Sequence, residues 1–417
     1  RRFIDDGHLP PRDSVRLEEY VNSFDYSYEP PSDGVFAIHV DGSTTPFTAS
    51  RSVLVRIGIQ AMTVADEARS PVSLTFVVDT SGSLEMDNRL ELVKDALTIL
   101  VGELGAHDSV AIVEFGSDAR VALQPTSAAE PDAIIEAIGR LVPGGSTNAQ
   151  AGLELGYQMA ELGQRAGAID RVVLASDGVA NVGLTDADSI LRLIEREVAA
   201  GIELVTVGVG MGNFNDVLLE QLANHGNGFY AYVNDVGEAE RLFRRDLTGT
   251  LQTVARDAKV QVEFRPQSVA RYRLLGYENR SLADDDFRNP EVDAGEVGAG
   301  HSVTALYELE LHAGRDGYLG TVNLRWSDDQ TRQEQKLARD IKVLDLAPEF
   351  ESADASFRLA ATAAAFAEIL RESPHRADFS LTDVAHQADA LARWFDDRED
   401  VAEFRRLTER AVRLAGR

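Results

Sequence analysis

The chain has 417 residues, no cysteine and a formal net charge of −28. This length exceeds one typical hydrophobic core and predicts two or three domains. The negative charge argues against nucleic acid as a partner, because phosphate binding needs a basic face. The lack of cysteine excludes disulfides, thiolate metal sites and cysteine nucleophiles. No stretch of the sequence reaches the ~18 apolar residues that a membrane-spanning helix needs.

The first 70 residues predict a short helical segment followed by two strands. Apolar residues between Val15 and Phe24 recur at helical spacing, and the run from Pro30 to Gly34 breaks the helix. Alternating apolar residues predict strands at 35–40 and 52–60. The chain does not begin with Met, so we expect a fragment of a longer protein, with any signal peptide or anchor upstream of it.

Strands and helices alternate through the next part of the chain. Strands are predicted at 72–78, 109–115, 171–176 and 202–209, and helices at 130–141, 149–162, 186–200, 215–224 and 236–250, with another through Leu90, Val93, Leu97, Leu100 and Leu104. Strands separated by helices predict right-handed crossovers and a doubly wound, mostly parallel sheet covered on both faces. The predicted fold class is therefore α/β. Ligands of such sheets bind at the carboxyl ends of the strands.

The last part of the chain changes character twice. Alternating apolar and polar residues over 258–346 predict an antiparallel β-sandwich, and residues 351–417 are helical again. We expect the strands of 35–70 to pair with those of 258–346, so that the α/β domain is inserted into a β-sandwich plus helical host domain. The predicted division is 1–34, 35–70, 71–250, 258–346 and 351–417.

Three loops beside strand ends or helix starts carry hard oxygen donors. They read Asp79-Thr80-Ser81-Gly82-Ser83, Pro143-Gly144-Gly145-Ser146-Thr147-Asn148 and Ser176-Asp177-Gly178. Because Asp79 and Asp177 both end strands of one parallel sheet, they should lie at the same edge. Carboxylate and hydroxyl oxygens suit Mg²⁺ or Mn²⁺, while Ca²⁺ tolerates a looser shell. The five candidate metal ligands are Asp79, Ser81, Ser83, Thr147 and Asp177.

In order and strand context these five residues resemble the metal-ion-dependent adhesion site of the von Willebrand factor A (VWA) family, which reads Asp-x-Ser-x-Ser, then Thr, then Asp. The family usually has Thr-Asp-Gly in the last loop, where this chain has Ser176-Asp177-Gly178 and keeps the acidic residue. The whole chain is also similar to bacterial VWA proteins often labelled Ca-activated chloride channel homologues. Matching stretches are residues 16–22, 24–26, 208–216 and 273–280. This resemblance implies a Rossmann-like VWA domain between a VWA-associated N-terminal segment and a C-terminal domain of unknown function.

The same resemblance implies a non-enzymatic protein-binding module. In the family, an acidic side chain of the partner becomes the last ligand of the metal, so we expect a protein partner with a carboxylate and Mg²⁺ or Mn²⁺ as the cofactor, with Ca²⁺ as an alternative. We expect an extracytoplasmic or membrane-tethered location. Two alternatives stay open: an intracellular scaffold for an AAA-type ATPase, and a hydrolase that uses the metal to activate water. The hydrolase lacks a convincing general base near the loops.

Overall fold

The computed structural model describes residues 2–48, 52–65, 69–177, 187–209, 216–233, 235–240, 252–277, 295–313, 317–328, 331, 333–374 and 379–416. Within these residues the strands are β1 (Phe36–Ser43), β2 (Ser52–Ala61), β3 (Val72–Asp79), β4 (Ser109–Phe115), β5 (Ala119–Ser127), β6 (Ile169–Ser176), β7 (Ile202–Val209), β8 (Tyr230–Val233), β9 (Thr253–Phe264), β10 (Val269–Leu275), β11 (Val297–Gly298), β12 (Ser302–Leu311), β13 (Tyr318–Asp328), β14 (Glu334–Lys342) and β15 (Leu346–Ala347). The α-helices are α1 (Arg2–Asp5), α2 (Leu17–Asn22), α3 (Arg89–Gly102), α4 (Pro131–Gly139), α5 (Ala149–Gly163), α6 (Ala187–Ala199), α7 (Asp216–His225), α8 (Val236–Glu240), α9 (Ala355–Leu370), α10 (Leu381–Trp394) and α11 (Glu399–Ala415).

A six-stranded sheet in the order β5-β4-β3-β6-β7-β8 confirms the predicted α/β class. Neighbouring strands from β4 to β8 are parallel, and β5 is antiparallel to β4. Every residue of β3, β4 and β7 is buried, as expected of strands covered on both faces. Apolar side chains of α3 and α4 cover one face, and those of α5, α6 and α7 cover the other. The central strand β3 therefore ends at the middle of the carboxyl edge.

The edges of this sheet differ from the sequence-based prediction. Strands β5 and β8 were not predicted, since β8 has four residues and β5 contains Pro125. Proline is tolerated in β5 because that strand lies at the edge of the sheet. The predicted helix 236–250 begins as α8, and its residues 241–250 lie outside the described part of the chain. Parts of the stretches 208–216 and 273–280 also lie outside it.

Two further sheets form the β-sandwich. One has the order β10-β12-β2-β1-β15 and the other the order β11-β9-β13-β14. Apolar side chains from both sheets, among them Ile57, Leu309 and Leu324, pack into one cluster between them. Strand β2 precedes the α/β domain and pairs antiparallel with β12, which follows it, so the α/β domain is inserted into the sandwich. The residue boundaries of the division given above stay a prediction.

The terminal helices share a third core. In α9 every residue from Leu359 to Leu370 is buried, which marks it as a central helix. Side chains of α2, α10 and α11 belong to the same apolar cluster. The ring of Tyr20 in α2 meets that of Phe366 in α9 edge-on, with 6.0 Å between the centroids. The two ends of the chain are thus packed together beside the sandwich.

Candidate metal-binding site

Asp79, the last residue of β3, is fully buried. Its Oδ1 accepts a hydrogen bond from the backbone N–H of Ser81 at 2.8 Å, and its Oδ2 accepts one from the hydroxyl of Ser176 at 2.8 Å. Burial raises the pKa of Asp79 to about 6, although the hydrogen bonds from Ser81 and Ser176 lower it, and the negative charge of Asp177 adds to the rise. A cation at this edge would offset the cost of holding these negative charges away from water.

Two serine hydroxyls follow Asp79 at the start of a 3₁₀ helix, Gly82–Asn88, which leads from β3 into α3. Ser81 is buried and Ser83 is half-buried. Their Oγ atoms lie 3.0 Å apart and share a hydrogen bond. The turn therefore gathers two neutral hydroxyl oxygens beside the carboxylate, and these are donors suited to a hard cation.

The loop of Thr147 is bound to the loop of Asp79 by two backbone hydrogen bonds. The N–H of Gly82 donates to the carbonyl of Gly145 at 3.0 Å, and the N–H of Gly144 donates to the carbonyl of Thr80 at 2.6 Å. Thr147 itself is buried. Thr147, the third predicted hydroxyl ligand, thus belongs to a loop that is hydrogen-bonded to the turn of Ser81 and Ser83.

The shape of this second loop depends on a glycine. Gly145 has φ +83°, and a Cβ at this position would lie 2.8 Å from Oγ of Ser117. After the loop, the side chain of Asn148 accepts a hydrogen bond from the N–H of Ala151 and caps α5. The loop is therefore fixed at its turn by the lack of a side chain and at its end by a helix cap.

Asp177 follows β6 directly, and its side chain is 1% exposed. Its Oδ2 accepts a hydrogen bond at 3.0 Å from Nη1 of Arg89, the first residue of α3. Its Oδ1 is also buried and accepts no hydrogen bond from any residue that the structure describes. A buried carboxylate oxygen without a donor is costly, and a bound cation would satisfy it.

The five predicted ligands form a donor set that fits a small divalent cation. Two carboxylates balance two positive charges, and three hydroxyls add neutral oxygens. Over the described ranges no cluster of three or more histidine, aspartate or glutamate side chains offers a different metal site. Hydrogen bonds connect the three loops. Asp79 accepts one from Ser81 and one from Ser176, which precedes Asp177, and the turn that contains Ser81 is hydrogen-bonded to the loop that contains Thr147.

Sequence reasoning missed two residues of this site, Ser176 and Arg89. Ser176 stands where the VWA pattern has Thr, and its hydroxyl is what holds Oδ2 of Asp79. The available signal was that Ser176, like the Thr of the family pattern, carries a hydroxyl group. For Arg89 there was none, because its partner lies 88 residues further along the chain.

Two other buried carboxylates of the α/β domain, Asp108 and Glu114, do not form a pair. Asp108 is fully hydrogen-bonded at the opposite edge of the sheet, where it binds Arg69 and two backbone N–H groups. Glu114 in β4 is hydrogen-bonded to Arg120 in β5 at 2.5 Å. Both are structural ion pairs.

Three family descriptions match the sequence. "von Willebrand factor type A domain" matches residues 73–245, "von Willebrand factor" matches 1–56, and "Uncharacterized protein YfbK, C-terminal" matches 249–318 and 310–414. The sequence is 36% identical to Uncharacterized protein YfbK of Escherichia coli over 433 residues, which covers 99% of this chain and 75% of that protein. The chain belongs to the YfbK family of VWA-domain proteins.

Two further proteins are similar to this YfbK-family chain at lower sequence identity. Uncharacterized protein sll0103 of Synechocystis is 27% identical and is matched over 68% of each chain. The solved structure of a von Willebrand factor type A protein from Catenulispora acidiphila is 18% identical with a TM-score of 0.43, covering 76% of this chain and 75% of that one. In the part of the chain described here, no helix has the length and apolar character needed to cross a bilayer.

Proposed function

We propose that this YfbK-family protein binds protein partners through a divalent cation held by Asp79, Ser81, Ser83, Thr147 and Asp177. An acidic side chain of the partner then completes the shell of the cation. One observation carries the proposal: Asp177 presents a buried carboxylate oxygen that no described residue satisfies, in a loop adjoining the fully buried Asp79.

The roles of the residues follow from their contacts. Ser176 and the backbone of Ser81 fix both oxygens of Asp79, so this carboxylate cannot swing away from the site. Ser81, Ser83 and Thr147 contribute oxygens without charge. A bound Mg²⁺ would supply a hard Lewis acid that can take a carboxylate oxygen of the partner. Because three of the five proposed protein ligands are neutral, an anionic ligand from the partner would be favoured.

The contacts of the site favour binding over catalysis. Around Asp79 and Asp177 the described hydrogen-bond partners are serine, a backbone amide and arginine. None of these side chains is a general base that could activate water, which the hydrolase alternative requires. The scaffold alternative concerns the identity of the partner rather than the chemistry of the site.

Thermal unfolding of the wild type and of Asp79→Ala, first in chelator and then with excess Mg²⁺, Mn²⁺ or Ca²⁺, tests the proposal. Binding to the native state alone should stabilise the wild type by about 2.7 kcal/mol at roughly a hundredfold excess over the dissociation constant. Asp79→Ala should lose this response, and Thr147→Ala should weaken it. Asp108→Asn is the matched control, since it changes a buried carboxylate at the opposite edge and should keep the response to metal.

A metal response of equal size in Asp79→Ala, or no response in the wild type, would contradict the proposal. If the response is present, capture of partners from cells with Mg²⁺ and with chelator is the next step. A metal-dependent envelope protein supports the adhesion function. A metal-dependent AAA-type ATPase supports the scaffold.

A further inference from the structure

A permanent positive charge, Arg89, is built into the candidate metal site. Its side chain is 8% exposed, and its Nη1 lies 3.0 Å from Oδ2 of Asp177, whose side chain is 1% exposed. The same carboxylate is one of the two charged ligands proposed for the cation. Arg89 and the cation would therefore share Asp177, one on each oxygen.

The position of Arg89 in its helix is electrostatically unfavourable. It is the first residue of α3, and the amino end of a helix carries a partial positive charge that favours acidic residues. The ion pair with Asp177 offsets this unfavourable interaction with the helix end.

A comparison within the same domain separates this pair from a structural ion pair. At the opposite edge, Asp108 accepts hydrogen bonds from two N–H groups of Arg69, and its Oδ1 and Oδ2 also accept backbone N–H groups of Val72 and Gly105. That carboxylate is saturated. Asp177 receives the arginine on Oδ2 alone, and its Oδ1 has no donor among the described residues.

The charges of the site give Arg89 a consequence for binding. Among the described residues of the site, the charges of Asp79, Asp177 and Arg89 sum to −1, and a divalent cation changes the sum of these groups to +1. Without the arginine the two carboxylates and the cation would sum to zero. Resting on the function proposed above, we propose that Arg89 determines specificity: its charge weakens the hold of the site on the cation and makes the loaded site select a carboxylate over its neutral amide.

Three variants test this inference. Arg89→Gln removes the charge and keeps a hydrogen-bond donor for Asp177, while Arg89→Lys keeps the charge. Arg69→Gln is the matched control, because it removes the charge from a buried arginine–aspartate pair outside the site. Isothermal titration with Mn²⁺ gives the affinity for the cation. A short peptide with one aspartate and its asparagine twin, titrated at saturating Mn²⁺, give the preference for the anion.

Arg89→Gln should bind Mn²⁺ about tenfold more tightly, a change of about 1.4 kcal/mol, and its preference for the aspartate peptide should fall about tenfold. Arg89→Lys should stay near the wild type in both measurements. Arg69→Gln should lower the melting temperature and change neither. Circular dichroism in chelator shows whether each variant is folded before the titrations are compared.

The possible results distinguish this inference from the proposed function. Unchanged Mn²⁺ affinity and unchanged preference in folded Arg89→Gln would overturn the inference and leave the proposed function standing. Loss of Mn²⁺ binding in folded Arg89→Gln would also overturn it, since Arg89 would then only orient Asp177. Binding by Arg89→Gln but not by the wild type would support the inference and contradict the proposed function. Binding by neither would contradict both.

Discussion

Asp79 is an acid placed where its charge is hard to keep. It has no exposed surface, and burial raises its pKa to about 6, well above the ordinary value of 3.8. The hydrogen bonds from Ser81 and Ser176 oppose this rise without cancelling it. A residue selected for stability alone would not be a carboxylate here. The metal-free protein therefore carries a cost that the proposed cation would relieve.

This cost predicts that the free energy of unfolding, measured in chelator, depends on pH. Because the pKa of Asp79 is higher in the folded state than in the unfolded state, folded protein binds more protons between about pH 4 and pH 6. Asp79 should therefore reduce the free energy of unfolding as pH rises through this window, by up to about 3 kcal/mol in total. Denaturant unfolding of the wild type and Asp79→Asn at pH 4, 5, 6 and 7 measures it. The difference between the two proteins should grow up to pH 6 and then level off; parallel curves would contradict the prediction.

At the scale of residues, the sequence predicts candidate metal ligands better than it predicts which side chains form hydrogen bonds or ion pairs with each other. Asp79, Ser81, Ser83, Thr147 and Asp177 could be named because they stand in loops next to strand ends or helix starts. The hydrogen bond from Ser176 to Asp79 spans 97 residues, and the ion pair of Arg89 spans 88. Such contacts follow from the order of strands in the sheet, which the sequence leaves open. Whether the five residues bind metal stays a prediction.

At the scale of elements, the loop before α5 places Thr147 by backbone geometry. Its hydrogen bonds to the Asp79 loop involve the backbone of both Gly144 and Gly145. The two glycines nevertheless differ. Gly145 has φ +83° and faces Ser117, whereas a Cβ on Gly144 would meet no atom within 4 Å. This difference offers a matched pair of substitutions.

Gly145→Ala should destabilise the protein by about 1–3 kcal/mol, because it combines a left-handed backbone with a steric clash. It should also weaken the metal response, since the loop carries Thr147. Gly144→Ala, which meets free space, should change stability by less than about 1 kcal/mol and keep the response. Thermal unfolding with and without Mg²⁺ checks both. Equal effects of the two substitutions would show that the loop is not fixed at Gly145.

The elements of the α/β domain were predicted where apolar periodicity was strong. Strands β3, β4 and β7 are wholly buried, and their continuous apolar runs made them visible in the sequence. Strand β5 is half-exposed along most of its length, so it lacks that signal. Helix α8 marks a different limit, since residues 241–250 of the predicted helix lie outside the described part of the chain.

At the scale of the whole molecule, a buried ionic cluster joins the α/β domain to the sandwich. Glu203 at the start of β7 pairs with Arg171 of β6 and, at 2.6 Å, with Arg256 of β9. Nearby, the backbone N–H of Ser70 donates to the side chain of Gln252 at 3.3 Å, so the two connections between the domains meet here. This junction lies at the amino edge of the sheet, opposite the candidate metal site.

Glu203→Gln should destabilise the protein by about 3 kcal/mol, because Arg171 and Arg256 both lose the buried carboxylate that they share, although Arg256 keeps its ion pair with Glu296 at 3.7 Å. Although burial alone would raise the pKa of Glu203, Arg171 and Arg256 lower it. The stabilisation by Glu203 should thus be present above about pH 4.5 and be lost as pH falls below that value. Denaturant unfolding of wild type and variant from pH 3 to pH 6 measures both effects.

As a control, Glu114→Gln should lower the free energy of unfolding by less than about 1 kcal/mol, because its partner Arg120 is exposed. A Glu203→Gln effect no larger than this would contradict the prediction.

The order of elements predicted an inserted domain, and the fold class is confirmed. The sequence does not predict the strand register of the host domain, in which Ile59 of β2 lies opposite Val303 of β12. Pairing across more than 200 residues depends on the apolar faces of both strands fitting one core, and many registers satisfy the same alternation. The clusters around Glu203 and Arg89 depend in turn on that assembled geometry.

Strand β3 runs from the junction to the candidate site, and this gives the protein a mechanical property. A partner pulled away from Asp79 would stretch β3 along its own axis against the host domain. The strand is bonded to β4 and β6 through seven residue pairs on each side, so such a load must shear two ladders at once. The proposed bond between the cation and a single carboxylate of the partner is not reinforced by parallel ladders of this kind. Under tension a partner bound as proposed above would therefore be expected to detach before the sheet is sheared.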